Sequence, residues 1–267
     1  MDWEMRGVLR RILQGLVEAK ISIDEAEKML KVAAIEEVSE MARLDVNREV
    51  WKGFPEIILA EGKGSEDLAK VAVELLEKRG RAIISRINKE QLEAVRKLIP
   101  NGSELRSNKR ARMIVLKREG FVAEKTGGKI GILTAGTSDI PVAEEAKVVA
   151  EEMGCEVITA YDVGVAGIHR LFPPLREMIN EDVDAIVVVA GREGALASVV
   201  AGVVDVPVIG VPTSSGYGFG AKGVGALMAM LQACSLGIAV INIDGGVPAG
   251  AIAALIANRI AKAKEPE

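Results

Sequence analysis

The sequence predicts an α/β protein: a doubly wound parallel sheet over residues 127–267, preceded by a smaller helical and α/β domain over residues 1–126. Three observations lead there. Hydrophobic residues make up 49% of the 267-residue chain but aromatics only 3%, so the core must be built from Val, Ile, Ala and Leu. Runs such as DAIVVVAG and VPVIGVP are almost continuously apolar rather than alternating, which marks strands buried on both faces. Beyond Gly128 such runs alternate regularly with helix-like segments, the rhythm of a parallel sheet crossed over by helices.

Taken in order, residues 4–44 read as helical. LRRILQGLVEAK has apolar residues at helical spacing. Ser22 and Asp24 open a second helix, SIDEAEKMLKVAAIEEVSEMARL, whose early acidic residues suit the positive end of a helix. PEIILAEG reads as a strand, SEDLAKVAVELLEKRG as a helix closed by Gly80, and RAIISRI as a strand. NKEQLEAVRKLIP is a helix stopped at Pro100, and ARMIVLK is another strand. Thr126, Gly127 and Gly128 are small and flexible and separate two textures of sequence, so the domain boundary is placed there. Beyond it GKIGILTA, CEVITAY, DAIVVVAG, VPVIGVP and GIAVINID read as strands. VAEEAKVVAEEMG, LFPPLREMI, GALASVVAGVV, GFGAKGVGALMAMLQA and PAGAIAALIANRIAKA read as helices.

The bulk numbers exclude several classes. A net charge of −4 and the lack of a basic patch with interleaved aromatics argue against a nucleic-acid partner or an acidic membrane surface. Residues 1–11 carry Asp2, Glu4 and two adjacent arginines and lack a secretory apolar core. The most apolar window, Ala226 to Ile243, is interrupted by Gln232, Ser235, Gly237 and Asn242, so it reads as a buried helix plus a buried strand, not a membrane span. Cys155 and Cys234 have no metal-like spacing, which suits a reducing cytoplasm. His169 is the single histidine, so multi-histidine metal sites are excluded.

Ligands of such sheets bind outside the carboxyl ends of the strands, and polar residues crowd there. They are Thr134 to Asp139 (TAGTSD), Tyr161 and Asp162, Gly191 to Glu193, Pro212 to Ser215, and Asn242 to Asp244. TAGTSD offers small residues and free amides at a helix start, suited to a phosphate or to plain capping. His169, in AGIHR, either meets a substrate beside Arg170, which is available to an anion, or is hydrogen-bonded beside a helix start. Glu193 precedes a helix whose positive end favours a carboxylate, as a general base or as a cap. The loop PTSSGYGFGAKG, with Ser214, Ser215, Gly216 and Tyr217, either wraps an anionic group or is simply flexible. Cys155 reads as core. Cys234 follows a helix C-terminus, which disfavours a thiolate and suits a buried structural thiol, unless the ligand is itself a cation.

Taken together, TAGTSD, DVGVAGIHRL, VVAGREGAL, VPTSSGYG and the stretch from Cys234 to Asp244 closely resemble the LarB family. Its members are the carboxylase/hydrolases that begin synthesis of the nickel-pincer nucleotide cofactor. GFPEIILAEGK, Gly53 to Lys63, extends the resemblance over nearly the whole chain. The second half is also similar to the aminoimidazole ribonucleotide mutases of purine synthesis, through the SD and HR elements. The resemblance implies a flavodoxin-like three-layer catalytic domain that consumes nicotinic acid adenine dinucleotide, CO2 and water and gives AMP and pyridinium-3,5-biscarboxylic acid mononucleotide. It maps the family nucleophile onto Cys234 and its acidic residue onto Glu193. Asp139 joins them as a catalytic group. Thr134, Gly136, Ser138, His169, Arg170, Ser214, Ser215, Gly216, Tyr217 and Asp244 are the expected substrate contacts. Mg2+ fits the phosphoanhydride cleavage. An octamer or similar closed homo-oligomer is expected by analogy with the mutases, and the Ala-rich C-terminal helix is expected to pack against another subunit.

Two departures from the family pattern stand out. Gly245-Gly246 follows Asp244 where Asn-Gly is expected, and Arg192 stands where a Met-like residue is expected. Two rival readings are an aminoimidazole ribonucleotide mutase, which needs no covalent thiol, and a non-catalytic dinucleotide-binding protein.

Overall fold

The structure, a computed structural model, describes residues 11–37, 53–216 and 218–264. By contact it falls into two units, Met1–Glu56 and Ile57–Glu267. In the first, residues 11–17 are helical and helix α1 spans Ile23–Glu37. Ser22 opens α1 reciprocally: its hydroxyl accepts from the Glu25 amide, and the Glu25 carboxylate accepts from the Ser22 amide. The rest of the expected helices, residues 4–10 and 38–44, lies outside the described residues.

The second unit holds two sheets. The smaller contains β1 (Ile57–Leu59), β2 (Arg81–Ser85), β3 (Glu104–Asn108) and β4 (Met113–Lys117), in the order β1-β2-β4-β3. Helices α2 (Ser65–Arg79) and α3 (Lys89–Leu98) cross between them. Gly80 ends α2 with φ 74, a left-handed cap that glycine adopts without strain. Asn88 and Gln91 form a capping box at the start of α3. β1 runs parallel to β2, and β4 is antiparallel to both its neighbours. β3, ELRSN, gives no strand signal in the sequence, because it is a polar edge strand held through backbone pairing with β4.

The larger sheet is entirely parallel. It contains β5 (Lys129–Thr134), β6 (Glu156–Ala160), β7 (Ala185–Ala190), β8 (Val208–Pro212) and β9 (Ile238–Val240), in the order β6-β5-β7-β8-β9. Numbered from its own first strand this is 2-1-3-4-5, the flavodoxin-like doubly wound order. Every residue of central strand β7 is buried, which is why its sequence shows no alternation. The helices are α4 (Ile140–Glu152), α5 (Phe172–Asn180), α6 (Ala195–Ala201), α7 (Val224–Leu231) and α8 (Gly246–Lys264). α7 begins later than its composition suggests, because Lys222 (φ 59) and Gly223 (φ 83) interrupt the helical path. β9 is shorter than GIAVINID suggests, since it pairs only with β8 and at three positions.

Helix α4 joins the two layers. Its inner side packs on α8, whose buried residues are Gly246, Ala249, Gly250, Ala251, Ala253, Ala254 and Ala257. A Cβ at Gly250 would collide with the Ala146 carbonyl, and one at Gly246 with that of Val142. One alanine face of α8 is therefore packed within the chain, while Ile252 on the same helix is exposed. The other side of α4 is acidic and meets the smaller sheet. Glu152 pairs with Arg81 at 3.2 Å and Lys117 at 2.9 Å, and Glu151 pairs with Arg106 at 3.0 Å. Glu144 accepts from Asn108. Thr126, expected to begin a flexible boundary, is pinned instead: its amide donates to Gly154 O at 3.1 Å and its hydroxyl to Asn258 Oδ1 at 2.7 Å. Among the described residues no helix is long and apolar enough to cross a membrane.

Glu145, on the same helix, is buried, and desolvation pushes its carboxyl up to about 7 against the pull of Arg86. The folded state therefore holds a proton that the unfolded state releases between about 4.5 and 7. The associated stability is complete below about 4.5 and is lost as pH rises through about 7. Chemical denaturation at pH 5 and pH 8 is expected to show the wild type losing roughly 2–3 kcal/mol relative to Glu145→Gln, which cannot titrate.

Candidate active site

The strand order makes the crevice. β6 lies on one side of β5 and β7 on the other, so the connections leaving β5 and β7 diverge at the carboxyl rim. Between them lies a cleft of about 450 Å³. Gly136, Ser138 and Asp139 line it from the β5 side, Val165 and Ala166 from beyond β6, Gly191, Arg192 and Glu193 from β7, and Ser215 from β8.

Asp139 is the fastening point. It is 3% exposed. One carboxylate oxygen accepts from the Gly136 amide at 2.9 Å, and the other from the Thr213 hydroxyl at 2.6 Å and the Ser215 hydroxyl at 2.9 Å. The β5 and β8 loops are thus tied across the cleft. Gly191 passes directly over this knot: a Cβ there would lie 2.7 Å from Thr213 Oγ1 and closer still to Ser215 Oγ. Thr213 is buried; the sequence places it among the rim residues Pro212 to Ser215 but does not single it out as a substrate contact.

The other expected residues separate into three groups. Gly136, Ser138, Asp139, Glu193 and Ser215 share the cleft. Arg192 and Glu193 also border an adjoining cleft of about 510 Å³, lined further by Gly218, Phe219, Gly220 and Gly225. Glu193 is exposed on a tight turn in which Arg192 (φ 53) and Gly194 (φ 65) are both left-handed.

A second group braces the cleft from outside. Thr134 is fully buried and its hydroxyl accepts from the Asp162 amide at 3.0 Å, so it braces the β6 loop. Asp244 accepts from the Ser214 amide at 2.8 Å. Gly216 approaches the backbone of Arg192. Arg170, expected to be available to an anion, is ion-paired with Asp162, and His169 is exposed beside it, outside both clefts. Tyr217 lies outside the described residues. At Gly245 a Cβ would lie 2.7 Å from Ile241 Cγ2 and 2.8 Å from Asn242 O, so this turn is built for glycine where the family pattern has Asn.

Cys234 stands apart from both groups. It lies in the connection between α7 and β9, at the amino end of the strand and so at the rim opposite Glu193. It is exposed, which removes the buried structural-thiol reading. Cys155, by contrast, is buried against Asn258, and desolvation pushes its thiol up to about 11. Among the described residues no group of three or more His, Cys, Asp or Glu side chains is arranged to hold a metal ion.

The fold and this cleft define a carboxylase/mutase-type α/β protein. Residues 129–267 match the AIR carboxylase family model, and residues 35–118 match that of the LarB/PurE-like N-terminal domain. The combination is the architecture of the LarB family, and this chain belongs to it. An uncharacterized protein of Methanocaldococcus jannaschii is 50% identical over 251 residues, covering 93% of this chain and 96% of the relative. The N5-carboxyaminoimidazole ribonucleotide mutase of Pyrococcus abyssi is 33% identical over 52% of this chain and 76% of its own length. That of Thermotoga maritima is 27% identical over 47% of this chain and 66% of its own length.

Asp139→Asn tests the knot. An amide oxygen cannot replace two carboxylate oxygens facing three donors, and its NH2 would confront one of them. Urea denaturation is expected to show a loss of roughly 1–3 kcal/mol.

Proposed function

We propose that the protein carboxylates the pyridinium ring of nicotinic acid adenine dinucleotide at C5 and hydrolyses its phosphoanhydride. The products are pyridinium-3,5-biscarboxylic acid mononucleotide and AMP, the first step of nickel-pincer nucleotide synthesis. The observation that carries this reading is the pair of adjoining clefts with Arg192 and Glu193 on their shared border. A dinucleotide has two nucleotide halves, one for each cleft, joined by the phosphoanhydride that the reaction cleaves.

A pyridinium ring is electron-poor and does not attack CO2. The Cys234 thiolate adds at C4, the ring becomes an enamine-like dihydropyridine, and C5 bonds to CO2. Glu193 takes the C5 proton, the C4–S electron pair returns to sulfur, and aromaticity is restored. Water cleaves the phosphoanhydride. Arg192 places a cation beside the phosphates.

Within one chain, β8 alone separates the two rims by roughly 16 Å, so Cys234 and Glu193 cannot act on one ring. A second copy resolves this. Val224, Met228 and Leu231 share an exposed face of α7, and Leu236 is exposed beside Cys234. An apolar face of this kind associates. In a closed homo-oligomer, with an octamer the expected form, it presents Cys234 of one copy to the cleft of another.

The similarity to the Pyrococcus abyssi mutase supports a second reading, migration of a carboxylate on an aminoimidazole ribonucleotide. That reaction leaves Cys234 idle.

Intact-mass analysis with nicotinic acid adenine dinucleotide is expected to show an adduct that is lost in Cys234→Ser. An adduct on Cys155, or turnover of the imidazole ribonucleotide alone, would end the first reading. Glu193→Gln is expected to abolish carboxylation while retaining binding. Subunit-exchanged mixtures of Cys234→Ser and Glu193→Gln should regain roughly a quarter of wild-type activity, the statistical share of sites with both residues intact. A mixture as inactive as its components would exclude catalysis shared between copies.

A further inference from the structure

We propose that Arg86 is a positioning residue for the cleft: reaching from the end of β2, its guanidinium holds the Asp244 turn in the form that fastens the Ser214–Ser215 loop to Asp139. The proposal rests on the reading of this cleft as the dinucleotide site.

The connection is continuous. Arg86 Nη2 donates to Asp244 O at 2.9 Å. Asp244 in turn holds both ends of a short segment: its amide donates to Pro212 O at 2.9 Å, and its carboxylate accepts from the Ser214 amide at 2.8 Å. The next residue, Ser215, donates to Asp139 at 2.9 Å. The guanidinium is aimed by its other neighbours. Its Nε lies 3.7 Å from Glu145 Oε1, its Nη1 lies 3.3 Å from Glu61 Oε2, and the Arg86 carbonyl accepts from Arg112 at 3.2 Å.

The backbone gives a second, independent sign. Arg86, Arg112 and Asp244 have φ values of 55°, 51° and 55°, left-handed positions at residues other than glycine. Such conformations persist where the surroundings over-determine them, and they concentrate at functional sites. Here the three lie in one hydrogen-bonded chain. They connect the smaller sheet, which lines neither cleft, to the loop that closes one of them.

Amide hydrogen exchange on the full-length protein tests the proposal. In Arg86→Gln the Ser214 amide is expected to exchange about tenfold faster, while Ile84 in β2 and Val188 in β7 keep their protection. Arg86→Lys, which retains charge but loses the forked donors, should fall between Gln and wild type. Calorimetry with nicotinic acid adenine dinucleotide should show affinity falling about tenfold in Arg86→Gln and partly returning in Arg86→Lys. Unchanged Ser214 exchange overturns the tether. Faster exchange at Ile84 and Val188 as well makes Arg86 merely structural and also overturns it. Should Arg86→Gln not fold, the same two outcomes are read from Arg86→Lys. Faster Ser214 exchange with unchanged affinity shows that the tether does not serve the site. If the wild type does not bind the dinucleotide, the substrate reading fails, and the exchange data judge the tether alone.

Discussion

Everything at the carboxyl rim hangs on one buried carboxylate. Asp139 is enclosed where a bare charge would be strongly disfavoured, and three donors from two loops stabilise it there. Since each donor needs that acceptor, neither loop can move without stranding the charge. A flavodoxin-like sheet provides a crevice wherever its strand order reverses. What makes this crevice a defined pocket is that its β5 and β8 borders are bonded to a common point, with Gly191 threaded over it at a separation that no side chain allows.

Helix α4 extends that constraint through the rest of the unit. It begins at Asp139, so its position follows the knot. Its backbone lies so close to α8 that glycine is required opposite the carbonyls of Val142 and Ala146. Its outer carboxylates hold the smaller sheet through Arg81, Arg106 and Lys117. Pairs as buried as Arg81 and Glu152 contribute little net stability, but they penalise any misplacement of the layer strongly. The smaller sheet is thereby placed so that Arg86, at the end of its inner strand β2, reaches the Asp244 turn.

The position of Cys234 bears on chemistry and assembly together. An α/β crossover returns the chain to the opposite rim before each new strand, so a residue just before β9 cannot share a rim with one just after β7. On the proposed reading, Cys234 chemistry and association depend on the same exposed surface.

Much of this was legible in the residues. Continuous apolar runs such as AIVVVA report burial on both faces wherever they occur, because that pattern is local. So are the caps at Gly80 and Ser22, and the crowding of polar residues after strands that located Ser138, Asp139, Glu193 and Ser215. β3 escaped because an edge strand held by backbone pairing needs no apolar signature. Thr134, Arg170 and Asp244 look like ligand contacts in one dimension, but their partners, Asp162 and Ser214, are reached only when loops from different strands meet. The same holds for Thr213 under Asp139, for Arg86 beside Asp244, and for the rim on which Cys234 falls. By itself the sequence determined the elements and which residue types could do chemistry, since propensity and periodicity act over a few residues. Only the tertiary structure decided which of those residues face one another, because strand order and close backbone approach bring together positions more than seventy residues apart, such as Asp139 and Thr213.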